Sequence, residues 1–168
     1  MSIVKIGDVA TTSKITVKPK AGTQYWHYSL PSFDEGMKPI CEDGSAIAST
    51  KLKVNKGDIL CNKLNMRFKR IWRIDEERDN GICSTEFVPI QATSVNRDYL
   101  YYVLTSNDFT NKMSGMRTGT SGSHQRVAID WILDYEFNLP DENAQKKISS
   151  ILSSIDRKIC TNTRLNDY

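Results

Sequence analysis

The sequence predicts a domain that mixes strands and helices, and three observations lead there. Short runs of β-branched and aromatic residues, punctuated by Gly, Pro, Asn and Asp, fill most of residues 1–90. Helical spacing of apolar residues begins only after Asn96. The clearest amphipathic run, carrying Ile148, Ile151, Leu152, Ile155 and Ile159, closes the sequence.

A chain of 168 residues is one ordinary domain with room for a real core. Its 39% hydrophobic and 26% charged residues exclude a disordered chain. The net charge of +3 is mild, so a local patch says more than the total. No apolar run approaches a bilayer span, and the first residues lack a signal-peptide core, so a cytoplasmic protein with no membrane partner is expected. Cys41, Cys61, Cys83 and Cys160 form no C-x-x-C pair, and two histidines complete no zinc pattern. Reduced thiols and no bound metal are expected.

In chain order, residues 3–6 open with a short element that Gly7 and Asp8 end as a turn. Residues 15–17 read as a strand, 18–22 as a loop and 25–30 as an aromatic-rich strand. From Pro31 to Gly44 the chain reads as a long loop, made acidic by Asp34, Glu35, Glu42 and Asp43. His27, among aromatics in a strand, reads as packing plus one hydrogen bond rather than catalysis.

Between residues 51 and 73, Lys51, Lys53, Lys56, Lys63, Arg67, Lys69, Arg70 and Arg73 stand against one acid, Asp58. Gly57 and Asp58 form a turn before a strand at 59–62, and a further strand follows at 71–74. Residues 63–70 are then a hairpin-like projection. Lys63, Asn65, Arg67 and Lys69 alternate, so an extended chain puts them on one face, with Leu64, Met66 and Phe68 anchoring the other. That is an inventory for gripping phosphates and reading base edges. A solvated basic face, partly neutralised by the acidic run at 75–79, is the plainer alternative, and the charge run alone leaves the two about even.

Asn80 and Gly81 signal a turn, and residues 82–90 read as one strand, with Pro89 marking its end or a sheet edge. Asn96 caps a helix over 97–104, and a second short helix spans about 108–113. The segment 115–126 follows. It holds Gly115, Gly119 and Gly122, the hydroxyls of Thr118, Thr120, Ser121 and Ser123, His124, and no acid, with Arg117 and Arg126 at its flanks. Such a loop brings backbone N–H groups and short polar side chains against a ligand, and a polyanion suits it. Alone it is better read as a solvated loop; the basic segment upstream shifts that balance. Residues 130–133 form a helical turn and 135–139 a closing strand. Asp141 caps the last helix, which can dock on its own domain or pair with another helix; sequence pattern alone favours docking.

These residues carry a resemblance. The segments YSLPSFDEG (28–36), KGDIL (56–60), NKLNMRFKRIW (62–72), STEF (84–87) and GTSGSHQRV (119–127) come in a recognisable order, as does Leu139-Pro140 followed by Gln145 and Ile148. Together they resemble a target recognition domain of a type I restriction–modification specificity subunit, over nearly the whole chain. Met66 stands where the family usually has proline. A full specificity subunit also resembles two such domains joined by long pairing helices, so this chain resembles a half-subunit, a truncated product or an excised domain.

The resemblance implies sequence-specific binding of double-stranded DNA at one half of a bipartite site. It implies an α+β (or α/β) fold, with a curved mixed sheet and a few helices over residues 1–140, and over 141–168 the start of a coiled-coil spacer helix. It implies as partners an adenine-modifying methyltransferase subunit, a restriction subunit, and a second copy or second half-subunit through Ile148, Ile151, Leu152, Ile155 and Ile159. It implies no chemistry and no cofactor of the chain's own. Lys63, Arg67, Lys69, Arg70, Arg117 and Arg126 are the candidates for phosphate. Asn65, Ser121, Ser123, His124 and Gln125 are those for the groove, and Thr118 belongs to the same surface. Gln125 and His124 could instead only shape that face.

Enzyme readings find little footing. Five prolines include no Pro-Pro, so the Asn/Asp-Pro-Pro-Tyr/Phe pattern of an adenine methyltransferase is absent. No glycine-rich nucleotide loop follows a strand, and Gly119-x-x-Gly122 is too weak to serve as one. Pro140-Asp141 with Asp156-Arg157-Lys158 resembles a nuclease string, but in a helical segment it reads as chance. Ser121 and Ser123 near His124 lack an orienting third group. The rival of another class is a non-catalytic protein-interaction module with a basic loop surface.

Overall fold

The computed structural model describes residues 2–116 and 125–166. Its strands form three sheets. β1 (Ser2–Lys5) pairs antiparallel with the late strand β11 (Glu136–Leu139), joining the two ends of the domain. Instead of the expected turn, residues after β1 form a helical turn, α1 (Ile6–Val9), because the Asp8 carboxylate accepts the Lys5 N–H at 2.8 Å and Ile6 and Val9 are buried. β2 (Ala10–Thr12), β10 (Phe87–Ala92), β7 (Ile59–Asn62) and β8 (Ile71–Arg73) lie side by side in that order, all antiparallel. β3 (Thr16–Val17), β6 (Lys51–Lys53), β9 (Gly81–Cys83), β4 (Gln24–Tyr28) and β5 (Ile40–Asp43) make a mixed sheet in which only β4 and β9 run parallel.

The four-stranded sheet is the middle layer. Successive residues of a strand point to opposite faces, and β7 uses both. Ile59 and Cys61 join one core with α1, α3 (Arg97–Thr105), α4 (Asn107–Gly115) and α5 (Ile129–Leu133), through Leu100, Leu104, Phe109, Met113 and Ile132. Leu60 points the other way, into a second core with Tyr28, Trp72, Cys83 and Phe87 toward the five-stranded sheet. All four residues of β7 are buried, as a strand covered on both faces requires. The mixture of helices and sheets is that of the α+β class.

Three local expectations are corrected. Residues 82–90 are not one strand: a turn closed by Phe87 N–H to the Ser84 carbonyl (3.0 Å) separates β9 from β10, which lie in different sheets. Pro89 sits inside the middle sheet, beside Leu60 and one residue past the last β2 pair at Ile90–Thr12; its carbonyl accepts Ser13 N–H at 3.2 Å, and its missing N–H leaves that contact single-bonded at the end of the ladder. Residues 31–44 are not all loop. They hold α2 (Leu30–Asp34), whose first turn Ser29 caps through Ser32 N–H, and the edge strand β5. The turn at Gly57 (φ +96°) is as expected, fixed by the Asp58 carboxylate on Asn55 N–H at 2.9 Å.

α6 (Glu142–Asn166) begins at the expected cap, with Asp141 Oδ1 accepting Ala144 N–H at 2.9 Å. It docks against α3, but through polar groups rather than its apolar stripe. The buried Gln145 accepts Asn96 N–H at 2.8 Å and donates to the Pro140 carbonyl at 2.8 Å. Tyr102 Oη bonds Ser153 (3.1 Å) and Asp156 (2.7 Å). Ile148, Ile151, Ile155 and Ile159 stay 37–59% exposed and Leu152 half-buried. The apolar stripe is therefore not what docks the helix on its own domain.

Candidate nucleic-acid interface

The basic loop meets residues 125–127, at the end of the glycine-rich segment, through main-chain bonds. Leu64 and Arg126 form an antiparallel bridge. Asn65 N–H donates to the Gln125 carbonyl at 2.9 Å, and Val127 N–H to the Lys63 carbonyl at 3.0 Å. Lys63 N–H in turn donates to the Glu86 carbonyl at 2.9 Å. The root of the loop is pinned by the fully buried Asn62, whose amide oxygen accepts Leu64 N–H at 2.9 Å and whose amide nitrogen donates to the Leu64 carbonyl.

The loop itself is not extended. Asn65 has a left-handed φ of +51°, and Phe68 N–H closes a turn onto the Asn65 carbonyl at 3.0 Å. Asn tolerates that conformation better than most residues with a Cβ. The expected alternation of Lys63, Asn65, Arg67 and Lys69 on one face therefore fails at the turn. Met66 is buried as expected, but Phe68 is 47% exposed. Its ring lies under the guanidinium groups of Arg67 (4.9 Å) and Arg70 (5.0 Å), an arrangement that offsets its exposure.

The charges sort differently from their order in sequence. Lys51 is a buried β6 residue whose ammonium donates to Ser49 at 2.6 Å, and burial lowers its pKa. Arg73 lies over the Tyr101 ring and beside Asp98, away from the loop. Within the acidic run 75–79, Asp75 pairs with Arg97 and Glu76 with Arg78, and among the described residues none of the run forms an ion pair with the loop. What meets the loop's charges comes from elsewhere. Asp34 in α2 takes Arg70 through both oxygens at 2.7 and 2.8 Å, and that bond holds its carboxyl below the usual range. Glu86 takes Arg126 at 2.6–3.1 Å, and Lys69 donates to Asn107 at the start of α4. Among the described residues, Lys63 and Arg67 are in no ion pair.

Asp34, Glu86 and Asn107 are thus partners of the candidate residues that sequence reasoning missed; contacts 36 to 40 residues apart leave no periodic signal. Asn65, Arg67 and Gln125 border a small pocket of about 70 Å³ with Met113 and Ser114. That is far below the ~300 Å³ of a small-molecule cleft. Of the remaining candidates, Arg117, Thr118, Ser121, Ser123 and His124 lie outside the described residues. Among the described residues no cluster of His, Cys, Asp or Glu could hold a metal, and no helix is long and apolar enough to cross a membrane. His27 does what its surroundings suggest: Nδ1 meets Glu42 at 2.6 Å, and burial lowers its pKa.

The same architecture and sequence recur in known proteins. A family model described as the type I restriction modification DNA specificity domain matches residues 1–167. The type I restriction enzyme HindI specificity subunit of Haemophilus influenzae is 31% identical over 118 residues, covering 69% of this chain and 26% of that protein. The HsdS subunit of Thermoanaerobacter tengcongensis has the same fold, with a TM-score of 0.80 at 19% identity over 98% of this chain and 44% of its own. The S subunit of a type I system from M. genitalium matches at a TM-score of 0.65 and 16% identity, over 98% and 41%. The chain thus spans about a quarter of the curated relative and under half of the solved ones. With the match running from the first strand into the final helix, the chain belongs to the family of type I restriction modification DNA specificity domains.

Proposed function

We propose that this chain binds double-stranded DNA sequence-specifically, reading one half of a bipartite site for a type I restriction–modification system. The observation that supports the reading is the bridge between Leu64 and Arg126, which joins the basic loop to the end of the glycine-rich segment. Lys63, Arg67, Lys69, Arg70, Arg117 and Arg126 grip phosphates; Asn65, Thr118, Ser121, Ser123, His124 and Gln125 face the groove. The chain supplies no catalytic group. Methyl transfer and cleavage belong to separate modification and restriction subunits that it directs to the site, and it works in the cytoplasm, where that DNA is.

Residues 1–140 are the recognition unit, and 141–168 begin a spacer. The exposed Ile148, Ile151, Ile155 and Ile159, with Leu152, support pairing of that helix with a second copy or a second half-subunit. The test is adenine-methylation mapping in a methylation-free host that co-expresses this chain with its modification subunit. Methylation at a bipartite motif is expected. An interrupted palindrome means two copies act as a pair, and an asymmetric motif means a different second half. No methylation, with both proteins stably co-purified, contradicts the proposal.

A further inference from the structure

Two arginines on the loop surface are already held in the geometry that a phosphate would use. Arg70 meets Asp34 through Nε and Nη2, one oxygen each, at 2.7 and 2.8 Å. Arg126 meets Glu86 through the same two nitrogens at 2.6–3.1 Å. A guanidinium fork binds carboxylate and phosphate alike, two-pronged. We propose that Asp34 and Glu86 are tethered stand-ins for DNA phosphate, which withhold Arg70 and Arg126 from any polyanion not seated on the loop; this rests on the DNA-binding reading above.

Both carboxylates are fixed from behind. Asp34 ends a helix that Ser29 caps and that Phe33 anchors edge-on against Trp72, ring centres 5.8 Å apart. Glu86 lies in the turn between β9 and β10, where its own carbonyl accepts Lys63 N–H. A carboxylate attached to the same rigid domain competes at high effective concentration. A random duplex that takes either arginine must displace it, so in the wild-type chain the phosphate opposite a withheld arginine keeps its condensed cation. Lys63 and Arg67, in no ion pair among the described residues, remain for the first contact. DNA that also makes groove contacts gains enough to complete the exchange, so the two acids convert charge attraction into a penalty on the wrong sequence.

The test uses the full chain with Asp34→Asn and Glu86→Gln, and Glu35→Gln as a control. Glu35 adjoins Asp34, is exposed, and is in no ion pair among the described residues, so its variant makes the same change in net charge without releasing an arginine. Binding of a random-sequence duplex is followed against salt, and elution from heparin is measured separately. Relative to Glu35→Gln, each variant is expected to steepen the slope of log K against log salt by about 0.9 and to elute later from heparin. Slope and elution equal to the control overturn the proposal. A shallower slope overturns it too, because the acids would then orient the arginines for DNA. If the wild-type chain binds no duplex while the two variants still elute later than the control, the masking stands and the DNA-binding reading falls.

Discussion

Asn65 N–H donates to the Gln125 carbonyl at 2.9 Å, with Asn65 held at a φ of +51°. This bond fixes the direction in which the basic loop turns over the exit of the glycine-rich segment. An L-residue other than Asn or Asp pays for that φ, whereas glycine does not. Asn65→Ala is therefore expected to be less stable than Asn65→Gly by roughly 1 kcal/mol, a difference from which loss of the amide cancels. Urea denaturation of the two variants measures it. If the Asn65 amide reads a base, both variants lose about 1–3 kcal/mol of discrimination at one position of the preferred site.

Arg67→Ala separates grip from readout. Arg67 is exposed and, among the described residues, in no ion pair, so its removal should cost little stability. Binding to all duplexes is expected to weaken similarly, with the salt slope shallower by about 0.9. Titrations of two unrelated duplexes at several salt concentrations check both points.

Gln145 is where the final helix meets the domain. Gln145→Ala leaves the Asn96 N–H and the Pro140 carbonyl without its side chain, at an expected cost of about 1–3 kcal/mol. Hydrogen exchange of α6 should quicken, which mass spectrometry of its peptides would reveal. The spacing of Leu139, Pro140, Gln145 and Ile148 in the sequence thus has a physical basis: a proline carbonyl, a buried amide and a helix cap locked together.

His27 links stability to pH. Burial is the main cause that lowers its pKa from 6.5, with Lys51 adding to it and the Glu42 hydrogen bond opposing. The unfolded chain therefore binds this proton first as pH falls below 6.5. Stability from the neutral, buried imidazole is complete above 6.5 and is lost as pH falls through the lower folded value. His27→Gln should flatten that acid limb, as seen by comparing denaturation midpoints of the two proteins between pH 7 and pH 5.

The four thiols should divide in two. Burial pushes Cys61 up to about 12 and raises Cys83 as well, whereas Cys41 and Cys160 are exposed. A thiol reagent should label Cys41 and Cys160 in the native protein, and Cys61 and Cys83 only on unfolding.

Much of this was legible in the sequence because the signals are local. Asn96 and Asp141 cap the helices they were expected to cap, and Gly57 turns where only a positive φ fits. Other features were less so. Ser29 with Pro31 and Ser32 is a helix-start signal, hidden because Ser29 closes a strand-like aromatic run and Pro31 opens a loop-like polar one. The run 82–90 looks continuous because the Ser84–Glu86 turn contains no Gly, Pro or Asn. Alternation in residues 63–69 imitates a strand, and only the left-handed Asn65 breaks it. Sequence brought the loop and the glycine-rich segment together through a resemblance; the fold does so through hydrogen bonds. The pairing of Arg70 with Asp34 and Arg126 with Glu86 depends on the packing of distant elements, which no local pattern encodes.

The most direct test of sequence-specific recognition is selection of this chain's preferred duplexes from a random pool, repeated with Arg67→Ala. One short motif should be enriched over successive rounds, with Arg67→Ala enriching the same motif at weaker binding. Retention of duplexes without enrichment of any motif, at a strength that merely follows net charge, would contradict the account.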